Sequence, residues 1–147
     1  MRVLLVIALC CICAWLAAAP AKATEAGAKV QGEGPSAYVS VAGAPGDGEQ
    51  ALARALSTRL SAMGVKQATA FEAHVYDIQG TVRVSPAQGG KETVTIIWVV
   101  LDPEGNQLGV TRQTKEVKKG SLNRTWGPAA DAAAGAAAAD IVKLLPR

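Results

Sequence analysis

The chain has 147 residues, a formal net charge of +3 and three cysteines, Cys10, Cys11 and Cys13. The length suits one domain with a core of its own, and so small a charge gives no electrostatic reason to expect nucleic acid as a partner. A single histidine, His74, and no cysteine after Cys13 leave little for metal or catalytic chemistry.

The first segment, "MRVLLVIALCCICAWLAAAPAKA", has a cationic start at Arg2, an apolar run from Val3 to Ala19, and the small-x-small trio Ala21-Lys22-Ala23. This is the pattern of a signal peptide spanning 1–23, cleaved after Ala23. An uncleaved N-terminal anchor is the rival reading, although the run is short for a comfortable span. Lipidation is a third. Cys10, Cys11 and Cys13 are preceded by Leu9, Cys10 and Ile12, and none of these is the small residue an acylation site prefers. After cleavage the chain runs from Thr24 to Arg147 without cysteine, and losing Arg2 and Lys22 lowers the charge from +3 to +1. Such a protein cannot use disulfides, so its core must carry its stability.

Residues 24–36, rich in small and polar side chains, read as a flexible leader, and 37–147 as a single domain. "AYVSVAG", Ala37 to Gly43, alternates and predicts a short strand with Val39 and Val41 on one face. A helix follows. Asp47 is a candidate N-cap with Gln50 completing a capping box, and Leu52, Leu56, Leu60 and Met63 form one apolar stripe. Gly64 stops the helix, with Val65 placed to pack back.

Ala73 to Val84 alternates again, with Tyr76, Ile78, Val82 and Val84 on one face. Gly80 falls on that face, where it would admit a helix or mark a bulge. "SPAQGGK" predicts a hairpin loop and Glu92 to Asp102 the next strand. Val94, Ile96, Trp98 and Val100 make one face of that strand. Ile97, Val99 and Leu101 make the other apolar too, which predicts a central strand or one covered on both sides. "DPEGN" supplies a tight turn, and "QLGVTRQTKEV" returns antiparallel.

The last element is "WGPAADAAAGAAAAD", Trp126 to Asp140, continuing to about Leu145. Alanine favours helix, and Pro128 is acceptable only in a first turn, so the helix must begin close to it. Ala130, Ala134, Ala137, Ile141 and Leu144 share a face that would let this helix lie tightly on the sheet or on the first helix. Trp126 would plug its start, beside Trp98. A disordered or membrane-lying tail is the alternative; Asp131, Asp140 and the lack of a basic face argue against it. The expected fold is α+β: a mostly antiparallel four-stranded sheet in the order strand, helix, three-strand meander, helix, with both helices on one face and the opening strand joined to the sheet by a crossover through the first helix.

"YDIQGTVRV", "ETVTIIWVVLDPEGNQLG" and "KKGSLNRTWGPAADAAAGAAAADIVKLL" together resemble a group of small exported proteins and lipoproteins of alphaproteobacteria. Many members of that group carry an acylation motif that this chain lacks. The element order is also similar to the small α/β domain of outer-membrane lipoproteins that activate peptidoglycan synthases or help secrete curli, and to the N-terminal domain of the periplasmic Tol-system propeller protein. The resemblance implies an envelope protein that binds other proteins, and it implies no activity.

A search for chemistry returns little. His74 reads as a surface or turn residue, and an active-site reading would need it in a pocket against Asp or Glu. "GAPGDGEQ" lacks the Gly-Lys-Ser/Thr ending of a phosphate loop, and Ser57, Ser61 and Ser121 lack a nucleophile elbow. No catalytic residue, metal ligand or cofactor is expected. "KEVKK" gives a basic strand edge at Lys115, Lys118 and Lys119, which either blocks aggregation or touches an anionic lipid or glycan. Trp126 reads as core or, if exposed, as a partner contact. The expectation is a non-enzymatic protein-binding or assembly module working through its sheet edge or the Trp126 region, with a cell-envelope protein as partner. The alternative is a carrier for a small amphiphile or lipid held between the alanine helix and the sheet.

Overall fold

The structure, a computed structural model, describes residues 34–70 and 72–146. The expected signal peptide, its three cysteines and nearly all of the leader lie outside the described residues.

Seven elements follow one another: β1 (Ser36–Ala42), α1 (Gly48–Ala62), β2 (Lys66–Gln67), β3 (Tyr76–Ala87), β4 (Lys91–Leu101), β5 (Gln107–Lys118) and α2 (Gly127–Leu144). The strands form one mixed sheet in the order β2-β1-β3-β4-β5. The meander β3-β4-β5 is antiparallel as expected, and β1, joined through the expected helical crossover, pairs parallel with both β2 and β3. The expectation of four strands is therefore corrected to five. β2 is two exposed residues, too short to alternate, so periodicity could not find it.

The α1 stripe is buried at Leu52, Leu56 and Leu60, whereas Met63 sits past the last turn and is 47% exposed. The helix ends in a Schellman motif. The Gly64 N–H donates to the Ser61 carbonyl at 3.1 Å, the Val65 N–H donates to the Leu60 carbonyl at 3.0 Å, and Val65 turns inward and is buried. Gly64 has φ +90, and a Cβ built on it would meet nothing within 4 Å. Gly64→Ala should therefore cost about 1–2 kcal/mol from backbone conformation alone, read as a shift in denaturant midpoint at unchanged slope.

The β3–β4 hairpin is tighter than expected. Ser85, Pro86 and Ala87 pair with Thr93, Glu92 and Lys91, so the connection is Gln88-Gly89-Gly90 alone. Pro86 is tolerated because β1 ends opposite Thr81 and leaves β3 without a second neighbour there. Gly80 marks no bulge. It pairs with Trp98, and a Cβ at Gly80 would lie 2.5 Å from Trp98 Cζ3, so the missing side chain makes room for the indole.

Both helices cover one face, α1 over β1 and β2, α2 over β4 and β5, and they pack on each other. The strand residues beneath them are Ala37, Ile78, Val82, Val94, Ile96, Trp98 and Val100, all buried. β4 is central, flanked by β3 and β5; no helix among the described residues covers its second face, where Ile97, Val99 and Leu101 are half-buried. The alanine helix is docked: Ala130, Ala134, Ala137, Ala138 and Ile141 are buried along it, and Leu144 meets β5 at Gly109. Small side chains let two helices and a sheet share one thin core.

A groove between the alanine helix and the edge strand

α2 does not seal against the sheet along its whole length. Near its start an apolar groove of about 230 Å³ remains between the helix and β4–β5. Val94, Ile96 and Val117 form its floor, Ala129, Ala133 and Ala136 its helical wall, and Trp126 its inner end. The alanines create this space, because each leaves empty the volume a larger side chain would fill.

Lys115 and Gln113 stand at the β5 side, on the helix-facing register with Val117. Thr114 also lines the groove, although its side chain lies on the other face, 3.5 Å from the Thr95 hydroxyl. Thr114 can reach the groove only through its main chain, so the groove extends over β5. β5 is the terminal strand of the sheet, and its outer edge is unpaired among the described residues. The Gln113 side-chain amide donates to the Ala133 carbonyl at 3.1 Å and ties strand to helix beside the opening.

Trp126 is 1% exposed, in line with its reading as core, so the exposure that a partner contact would need is not met. Its position is held from three sides. The Trp126 backbone N–H donates to Asp47 Oδ1 at 2.8 Å, and the indole N–H is shared between the carbonyls of Pro45 at 2.8 Å and Leu122 at 3.1 Å. The ring rests where a Gly48 Cβ would be, 2.5 Å from the Trp126 Cε2 position. Asp47 thus makes no side-chain cap of α1 and receives α2 instead; Glu49, not Gln50, reaches back, accepting the Gly43 N–H at 2.9 Å. The basic residues Lys115, Lys118 and Lys119 are exposed as the sequence implied, on the β5 edge and just after it.

One row further along the seam, Trp98 Nε1 and Thr111 Oγ1 are buried without a hydrogen-bond partner among the described residues. The two residues face each other across β4 and β5. A buried hydroxyl without a partner costs desolvation and returns nothing, so Thr111→Val should leave stability unchanged or raise it by about 1 kcal/mol. A loss of more than that in urea unfolding would mean the hydroxyl is bonded in solution.

A second, more open cleft of about 550 Å³ lies at the opposite end of the meander, lined by Tyr38, Glu72, His74, Asp77, Asp102 and Glu104 among others. His74 therefore does lie in a cleft with carboxylates, at φ 60. Two of the acids there, Asp102 and Glu72, have structural work, while Asp77 Oδ1 is buried without a hydrogen-bond partner among the described residues. Asp102 Oδ1 accepts the backbone N–H groups of Glu104 and Asn106, and Oδ2 accepts the Asn106 side-chain amide. That bonding, led by the Asn106 side chain, holds the Asp102 carboxyl below its ordinary range. Glu72 is lowered likewise, by the Thr69 backbone N–H first and its hydroxyl second. His74 makes no hydrogen bond or ion pair among the described residues, and no group of three or more His, Cys, Asp or Glu side chains among them is placed to hold a metal.

No protein-family model and no curated protein matches the chain. Among solved structures it is similar to an uncharacterised protein, at 14% identity and a TM-score of 0.52 over 74% of this chain and 92% of that one. It is also similar to a minor lipoprotein from Acinetobacter baumannii, at 16% identity and a TM-score of 0.48 over 76% of this chain and 95% of that one. At these identities the likeness concerns the fold. No helix among the described residues is long and apolar enough to cross a membrane.

Proposed function

We propose that this is an exported cell-envelope protein and a non-enzymatic binding module, which takes an extended polypeptide segment as an added strand on the outer edge of β5. The observation that carries this reading is that a twelve-residue edge strand, unpaired on its outer side among the described residues, also lines an apolar groove. In strand addition, main-chain hydrogen bonds supply affinity and every second side chain of the guest points to the same face. Here that face leads under α2, where the groove can take an apolar side chain. At about 230 Å³ it lies below the roughly 300–1,000 Å³ typical of sites that enclose a whole drug-sized ligand. The export pattern of residues 1–23 and the motif resemblance support the envelope location.

Hydrogen exchange tests the reading. The probe is a neutral ten-residue synthetic peptide of alternating threonine and valine with one central phenylalanine. It should slow exchange at the outward amides of β5 and change the emission of Trp126 at the groove's inner end. Protection confined to the bare face of the sheet, or no protection at saturating peptide, would remove strand addition from consideration.

The amphiphile carrier stays as a second reading because the groove is apolar apart from Gln113, Thr114 and Lys115, the last a cation at its rim. Native mass spectrometry of protein purified from the periplasm separates the two. A retained lipid mass that disappears when Ala133→Leu fills the groove favours the carrier.

A further inference from the structure

We infer that the segment received by β5 is acidic, with carboxylates flanking the apolar residue that enters the groove; this rests on the strand-addition reading above. The corner around the β5 edge carries Arg112, Lys115, Lys118 and Lys119, all exposed. The acids beside them are already engaged. Glu116 Oε2 is 3.1 Å from Lys91 Nζ, and Glu92 Oε2 accepts the Gly120 N–H at 3.1 Å. Lys115, Lys118 and Lys119 form no ion pair among the described residues. The edge therefore presents a surplus of cationic charge on both sides of the strand. Lys115 stands on the groove side, while Arg112 and Lys118 stand on the bare side, as the pleat requires.

Edge lysines in general discourage sheet-to-sheet pairing. That role alone does not account for an apolar groove beside them, which would invite the pairing the lysines discourage. The two features are consistent if the edge selects among strands. A second copy of this chain brings the same cations and is repelled, while a strand bearing Asp or Glu meets complementary charge on each face and an apolar pocket between.

The test uses three versions of the ten-residue peptide, with two aspartates, two lysines or two glutamines at each end, titrated into the whole protein and followed by anisotropy. The aspartate peptide should bind at least about fivefold more tightly than the lysine peptide at low salt, with the gap closing as salt rises. The triple variant K115E/K118E/K119E should invert the order. If its folding is impaired, K115Q/K118Q/K119Q should instead abolish the gap. Equal affinity for the aspartate and lysine peptides would overturn the acidic partner while leaving strand addition intact. If none of the three binds, strand addition itself fails. Salt-sensitive binding to vesicles containing anionic lipid, with no preference among the peptides, would assign the lysines to a membrane surface and overturn the inference.

Discussion

Replacing Trp98 by alanine should remove about 3–5 kcal/mol of stability, measured by urea or guanidinium unfolding. Folded domains of ordinary size hold roughly 5–15 kcal/mol in total, so the variant is expected to be partly unfolded at physiological temperature. The size of the effect follows from position. Trp98 is fully buried on β4, with Gly80 beneath the ring on β3 and the two helices above. Its partner on β3 is a glycine and much of α2 is alanine, so these two neighbours offer little side chain to fill the volume it would leave. The reciprocal change, Gly80→Val, should cost about 1–3 kcal/mol by overpacking, because its side chain would overlap the indole. Combining it with Trp98→Ala should recover part of both losses. Strict additivity would show that the pair does not share one cavity.

Trp126→Ala is expected to have an effect of the same order, about 3–5 kcal/mol, through a different route. Trp126 fastens the start of α2 to the start of α1, and its removal takes away the ring, both indole hydrogen bonds and the plug at the end of the groove. Trp126→Phe separates these contributions. It keeps a ring over Gly48 and loses only the indole N–H. The Pro45 carbonyl still accepts the Gly48 N–H at 3.2 Å, so the Leu122 carbonyl is the group left without its partner, and the cost should be about 1 kcal/mol. A Phe variant as unstable as the Ala variant would mean the hydrogen bonds, not the packing, hold the helix. Acrylamide should quench Trp126 poorly in the native protein and strongly in any state where α2 has come away.

The groove and the strand edge bear on stability in opposite ways. Filling α2 with larger side chains would bury more apolar area and close the groove, and the sequence keeps alanine there instead. A twelve-residue edge unpaired among the described residues, next to an apolar groove, is an aggregation risk that the cations on it restrain. Both features lower the stability of the isolated fold, and both fit the guest strand we propose.

Much of the architecture was legible one element at a time. The leucine stripe of α1, the Gly64 stop, the alternation of β3 and β4, the Asp102 turn and the docked face of α2 all arise from short-range periodicity and turn chemistry, which sequence carries directly. The misreadings share a cause. Asp47 has the right residue type and place for a helix cap, yet its carboxylate bonds the Trp126 N–H, far along the chain. Trp126 was readable as core, but the loop around Pro45 and Gly48 was not readable as its receiver. β2 has no pattern at all and exists because Lys66 and Gln67 pass alongside β1. The apolar second face of β4 fits a central strand, as one of its two readings had it, while periodicity, which reports side-chain alternation, does not say how many layers are laid on that face. No local signal marks Gln113 or Thr111, whose surroundings are made by α2.

The sequence by itself determined which of the longer segments become helix and strand, that the opening strand returns through a crossover, and that an alanine-faced helix must rest on something to be stable. Tertiary structure alone decided that β2 is added beside β1, which backbone groups hold Trp126 inside, and that the alanine face meets the sheet with a space left over above the terminal strand. The physical reason is range: propensity and periodicity act over a few residues, while strand order and unfilled volume depend on segments brought together from far apart in the chain.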